Sequence, residues 1–296
     1  MKNRLSSRTM LIISMTIFGT IGLFVRNIPL PSGEIALYRA MLATILLGFY
    51  LLITKQKIPF RKIKKEIPFL VLSGVAMGFN WILLFEAYKY TTVSVATLSY
   101  YFAPVIVMIA CPVLFKEKIG IRQWICFVMS TVGIVLITGI GDIVQGNSHL
   151  KGILLGLGAA TLYSTVILLN KFIKNIDGFH RTFLQFVSSI IVLVPYVLFT
   201  DGINLQTLNA KGWIFLLIIG LVHTGITYCL YFSSLKELPG QKAAILSYID
   251  PLVAVLISVA VLKETITPLQ IVGGLLILGF TLYNELSSNK QVSNNT

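Results

Sequence analysis

The chain has 296 residues, of which 12% are charged and 56% hydrophobic, and its mean hydropathy is +0.85, whereas a soluble domain keeps about a quarter of its residues charged. So few polar side chains cannot cover a water-facing surface, which excludes a soluble protein and turns the apolar excess towards lipid. A formal charge of +13 would suit a nucleic-acid binder if the Lys and Arg formed one patch, but they sort by alternate connections, and a nucleic-acid partner becomes unnecessary.

A helix crossing the hydrocarbon core needs about 20 apolar residues. Such runs occupy 9–26, 33–54, 67–88, 93–115, 121–140, 151–171, 180–200, 212–233, 240–262 and 267–285. The first follows Lys2, Arg4 and Arg8 like a signal peptide, but it lacks a small-x-small cleavage site and matches a later helix, so it is expected to be retained. Assigned to alternate connections, eighteen Lys and Arg, including the run from Lys55 to Lys65, share the side of the N-terminus. Arg26, Lys89, Lys151, Lys211 and Lys263 lie opposite, and Arg39 falls within a span. The positive-inside rule then places both termini in the cytoplasm.

In the second span, Arg39 sits about two turns deep, where it is expected to snorkel outward or to pair with Glu86. Span three carries Asn80 and Trp81 in its outer part, with Gly74 and Gly78 as a close-packing face. Span four brings Tyr100 and Tyr101 ahead of Pro104, and span six adds Tyr163 and Asn170 on one face. Aromatic walls with a few amides suit a solute with apolar and polar parts, although each of these residues has interhelical packing as an equal alternative. The cysteines Cys111, Cys126 and Cys229 lie in apolar runs without metal-ligand spacing and read as packing residues.

Span eight offers His223, Thr227 and Tyr231 at helical spacing, with Thr224 and Tyr228 beside them, a face expected to line a cavity. In span nine Asp250 directly precedes Pro251, whose missing N–H leaves the Ser247 carbonyl free. A mid-membrane acid is rare and suits proton coupling or a counter-charge for a cationic solute; the alternative is a buried Asp satisfied by backbone. Glu117 and Glu264, at helix ends, read as caps of the helices that follow them.

The chain also repeats itself. A shift of 147 residues pairs Gly78 with Gly225, Phe85 with Phe232, Tyr101 with Tyr248, Pro104 with Pro251, Glu117 with Glu264 and Gln123 with Gln270 without a gap. A shift of 145 extends the match upstream, through Thr16 with Thr161 and Gly33 with Gly178. Two halves, 9–140 and 151–285, each hold five crossings, and an odd number inverts the second relative to the first. The expected fold is all-α and integral to the membrane, ten transmembrane helices as two inverted five-helix repeats. Such repeats permit two near-equivalent packings around a solute site at their interface.

The mid-span prolines Pro104 and Pro251, the K-E-x-I segments Lys116 to Ile119 and Lys263 to Ile266, and Gln123 and Gln270 at the next helix starts resemble the drug/metabolite transporter superfamily, in its EamA-type ten-helix branch, over nearly all of 9–285. The resemblance implies transport of metabolites, amino acids or amines, uncoupled or ion-coupled and often outward. It does not fix the substrate.

No phosphate-binding loop of a primary pump and no metalloprotease or serine-hydrolase signature occurs in the sequence, so an enzyme is not expected, nor a catalytic residue, cofactor or metal site. The expectation is a multi-pass plasma-membrane carrier of a small solute, an exporter working by alternating access. Its partners are the lipid bilayer and a small-molecule substrate, with proton coupling at Asp250 or His223. Tyr248, paired with Tyr101 by the repeat, completes the candidate site residues. A receptor or assembly factor that binds without moving its ligand is the alternative. Oligomeric state has no signature in the sequence.

Overall fold

The computed structural model describes residues 6–115, 120–138, 148–235, 238, 243 and 246–293, and they form an all-helical protein, 82% helix. Seven helical stretches are long and apolar enough to cross a membrane: Ser7–Val25, Ser32–Ile53, Ile67–Tyr90, Val93–Cys111, Ser148–Asn170, Gly178–Phe199 and Ala210–Leu235. They fall on the expected spans one to four and six to eight. Three shorter apolar helices, Ile121–Ile137, Ile249–Ala260 and Pro268–Asn284, fall within the expected spans five, nine and ten. Large apolar side chains such as Ile53, Val113 and Phe199 stand on the outside, as a multi-pass membrane protein requires. The first K-E-x-I segment, with Glu117, lies outside the described residues.

Several crossings are built from two pieces. The first comprises α1 (Ser7–Gly19) and α2 (Ile21–Val25), broken at Thr20. It is followed by α3 (Ser32–Ile53), the short α4 (Phe60–Ile63) and α5 (Ile67–Tyr90). The next crossing divides into α6 (Val93–Tyr100) and α7 (Ala103–Phe115), separated at Tyr101 and Phe102 just ahead of Pro104. Then come α8 (Ile121–Thr138), α9 (Ser148–Asn170) and α10 (Gly178–Phe199). A π-helical stretch, Ile218–Ile226, joins α11 (Ala210–Leu217) to α12 (Thr227–Leu235). Tyr248 is a turn residue before α13 (Ile249–Ala260), so Pro251 follows an interruption as Pro104 does, and α14 (Pro268–Ser293) ends the described chain.

Side-chain caps fix where several helices begin. Ser6, Thr92, Asp177 and Asn209 each accept a backbone N–H two or three residues on, satisfying donors that the helix leaves free. Burial pushes the Asp177 carboxyl up, but hydrogen bonds from the His180 side chain and from the backbone N–H groups of His180 and Phe179 outweigh it and hold the group below its ordinary range.

Contacts between the halves come in matching pairs. Helix α10 packs on α5 and the π stretch on α3; α9 packs on α5 and α12 on α1; α9 meets α6 and α7 as α13 meets α1. Close approach explains the glycines: a Cβ on Gly74 would lie 2.5 Å from the Gln185 carbonyl oxygen, and Cβ atoms on Gly133 and Gly273 would each meet the other's carbonyl oxygen, at 2.7 and 2.5 Å.

Candidate functional site

One cavity of about 320 Å³ opens between the halves, where the interrupted helices meet. Its lining comes from α1, α2, α3, α5, α6 and α7 of the first half and from α9, α12, α13 and Ser247 and Tyr248 of the second. Nine of the 21 lining residues are aromatic. Tyr100 and Tyr163 lie 5.3 Å apart between centroids, and Tyr228 stands 5.2 Å from Phe18. These rings carry an apolar face and, in tyrosine, a polar tip, so the wall holds an apolar body and offers hydroxyls.

Two charged side chains reach this wall. Asp250, on the first turn of α13, accepts a hydrogen bond at Oδ2 from the Tyr101 hydroxyl at 2.7 Å. Arg39, on α3 and 4% exposed, donates from Nε to Thr224 Oγ1 at 2.6 Å. Its guanidinium lies over the Trp81 ring, 4.4 Å from the centroid, with Phe85 at 5.5 Å. The expected pairing of Arg39 with Glu86 is corrected here: Glu86 accepts from Ser32 Oγ at 2.6 Å and pairs with Lys89 at 3.0 Å, while Arg39 is held inside by aromatic faces and a hydroxyl.

Of the sequence-derived candidates, Asp250, Trp81, Tyr101, Tyr163, Tyr228, Tyr248 and Pro104 line the cavity together. His223, Thr227, Asn80, Asn170 and Pro251 do not line it. His223 is 2% exposed, bonds Thr20 Oγ1 through Nε2 at 2.9 Å and lies 4.9 Å from the Phe24 ring, so it packs against the break in the first crossing. Thr227 donates to the Val222 carbonyl at 2.7 Å, Asn80 to the Ala159 carbonyl at 2.6 Å, and Asn170 accepts from Gln185 at 2.8 Å. Sequence reasoning gave Arg39 a structural role and passed over Tyr88 and Thr97, yet all three stand in the wall. Trp81, Leu84 and Tyr88 stand at i, i+3 and i+7 on α5, a spacing that marks one face.

Glu264 also departs from its expected role. Instead of capping the helix after it, it accepts from the Val93 N–H at the start of α6 at 2.9 Å, from Ser258 Oγ, and pairs with Arg26. Thr267 and Gln270 cap the start of α14 for each other, at 3.0 and 3.2 Å.

A duplicated helical bundle with a polar-edged cavity at the seam of its halves defines a multi-pass membrane protein with room for a small molecule. Residues 6–139 and 150–284 each match the EamA-like transporter family, and the chain belongs to it with two EamA domains, within the drug/metabolite transporters. It is 33% identical to an uncharacterized transporter, YxxF, of Bacillus subtilis (strain 168), over 83% of this chain and 79% of that one. An uncharacterized transporter of Archaeoglobus fulgidus is 26% identical over 92% of this chain and 93% of its own. A crystal structure of another protein shares the fold with a TM-score of 0.60 over 93% of this chain and 96% of its own, at 13% identity.

Proposed function

We propose that this chain is a secondary active or facilitative transporter of a small metabolite, an amino acid, amine or related solute, exporting it across the plasma membrane by alternating access between two inverted five-helix repeats. The observation that carries this reading is the cavity at the seam of the halves, bounded by Tyr101 and Pro104 from one and Tyr248 and Asp250 from the other. Inverted repeats put solute sites there, and a seam lined by both copies is the place where their relative movement changes access.

Further support for ten crossings comes from bonds between connections. Glu34 accepts from Asn204, Thr91 bonds His149 and Arg26 pairs with Glu264, all at ends that ten crossings put opposite the N-terminus. Glu66 accepts from Asn175, and Lys171 donates to Cys111, at ends on the N-terminal side. With both termini cytoplasmic, the first group faces out. Asp250 serves as the coupling or cation-recognising acid, and the aromatic wall holds the solute body.

The test is counterflow in proteoliposomes preloaded in turn with pooled amino acids and pooled amines. Uptake of labelled solute above the level of protein-free vesicles is expected. Ligand binding by the purified protein without any flux instead identifies a receptor.

A further inference from the structure

We propose that Arg39 is the anion-recognition residue of the cavity and that the solute bound there carries a carboxylate, an inference that rests on the reading of this cavity as a solute site. Arg39 is a cation at the wall of an apolar cavity, and among the described residues no carboxylate stands within ion-pair distance of it; the ion pairs found are Arg26 with Glu264, Lys89 with Glu86 and His180 with Asp177. A guanidinium keeps its charge in proteins, and burying it without a counter-ion is unfavourable. The Trp81 and Phe85 faces offset part of that cost and fix the plane of the group, while Thr224 occupies Nε. The two terminal NH2 groups make no hydrogen bond among the described residues, and on a side chain that lines the cavity such a fork can receive a carboxylate through two parallel hydrogen bonds.

The rest of the wall narrows the anion. Asp250 lines the same cavity and is bonded to Tyr101, so the two charged groups are held apart by separate neutral partners. One guanidinium with an acid nearby matches a monoanion better than the near-dianionic charge of a phosphate ester. The aromatic wall asks for an apolar body behind the carboxylate, of a size that a cavity of about 320 Å³ admits. Neither charge belongs to the repeated framework: at shifts of 145 and 147 residues the equivalents of Arg39 and Asp250 are Leu184 and Ala103. A solute with two unlike ends fits a site charged in this unsymmetrical way.

The experiment uses three probes with the same phenyl body, 3-phenylpropanoate, 3-phenylpropanamide and phenethylamine, measured by thermal stabilisation of the purified full chain. The acid is expected to stabilise the parent at millimolar concentration, and the amide and amine to do so at least about 30-fold more weakly. Arg39→Gln should weaken acid binding by a similar factor, and Arg39→Lys, which keeps the charge but loses the fork, by less. The proposal is overturned if the acid does not bind the parent, if the amide or amine binds as well, or if Arg39→Gln binds the acid like the parent. Should Arg39→Gln not fold, the comparison of the three probes on the parent decides. Flux of the same probes separates the two readings: acid binding without flux removes transport and keeps the role of Arg39, whereas amine flux unchanged by Arg39→Gln does the reverse.

Discussion

Tyr101 donates its hydroxyl to Asp250 over 2.7 Å, joining the break between α6 and α7 in the first half to the first turn of α13 in the second. If Asp250 couples transport to protons, Asp250→Asn should abolish the pH dependence of counterflow while keeping size and hydrogen-bonding capacity. Tyr101→Phe removes only the donor and should leave a shifted pH profile. Equal rates and equal profiles for parent and Asp250→Asn, at matched expression, would make the acid a structural group.

The crossing count is open to direct test by single cysteines in a background lacking Cys111, Cys126 and Cys229. Position 60, in α4, should label only from the cytoplasm, and positions beside Lys151 and Lys211 only from outside. Labelling of all three from one side would sink the ten-crossing arrangement.

Hydropathy sufficed for the helices because the spacing of apolar runs is a local property, and Pro104 and Pro251 marked breaks because a missing N–H acts locally. The wall of the cavity was less legible. Helical spacing put His223, Thr227 and Tyr231 on one face, but the hydroxyls of Thr224, in the π stretch, and Thr227, directly after it, bond carbonyls five residues back, at 2.8 and 2.7 Å, and the wider turn shifts the register. Tyr228 and Tyr231 therefore reach the cavity while His223 and Thr227 do not. The environment of Arg39 is assembled from Trp81 and Phe85 on α5 and Thr224 of the other half, long-range neighbours that no local pattern announces.

Helix approach gives a prediction independent of transport. A side chain at Gly74 runs into the Gln185 carbonyl and the Ser188 Cβ, at 2.5 and 2.6 Å, so Gly74→Leu must push α5 from α10. Overpacking of this kind costs about 1–3 kcal/mol or more when backbone is the obstacle, and the variant should show a lowered melting temperature or aggregate in size-exclusion chromatography. Gly279, which has open space where a Cβ would point, should accept Ala or Leu with little change. Similar behaviour of the two positions would contradict the packing.

The cluster around Glu264 bears on alternating access. Ile21, Thr97 and Ala254 line the cavity, and Arg26, Val93 and Ser258 stand about one turn further along the same three crossings, all joined through the Glu264 carboxylate. This arrangement ties α2, the start of α6 and α13 together at one end of the cavity, the outer end if the ten-crossing reading with cytoplasmic termini holds. Opening it requires the carboxylate to leave a cation and a helix N-terminus, so the closed form should be favoured by charge-assisted hydrogen bonds that a neutral side chain weakens. Glu264→Gln is expected to raise labelling of a cysteine at Thr97 from outside. The stronger test fixes the contact: Arg26→Cys with Glu264→Cys, in the cysteine-free background, should lose counterflow when cross-linked and regain it on reduction. Full counterflow with the cross-link complete would mean that this end of the cavity stays shut throughout transport, and the moving seam would then lie elsewhere.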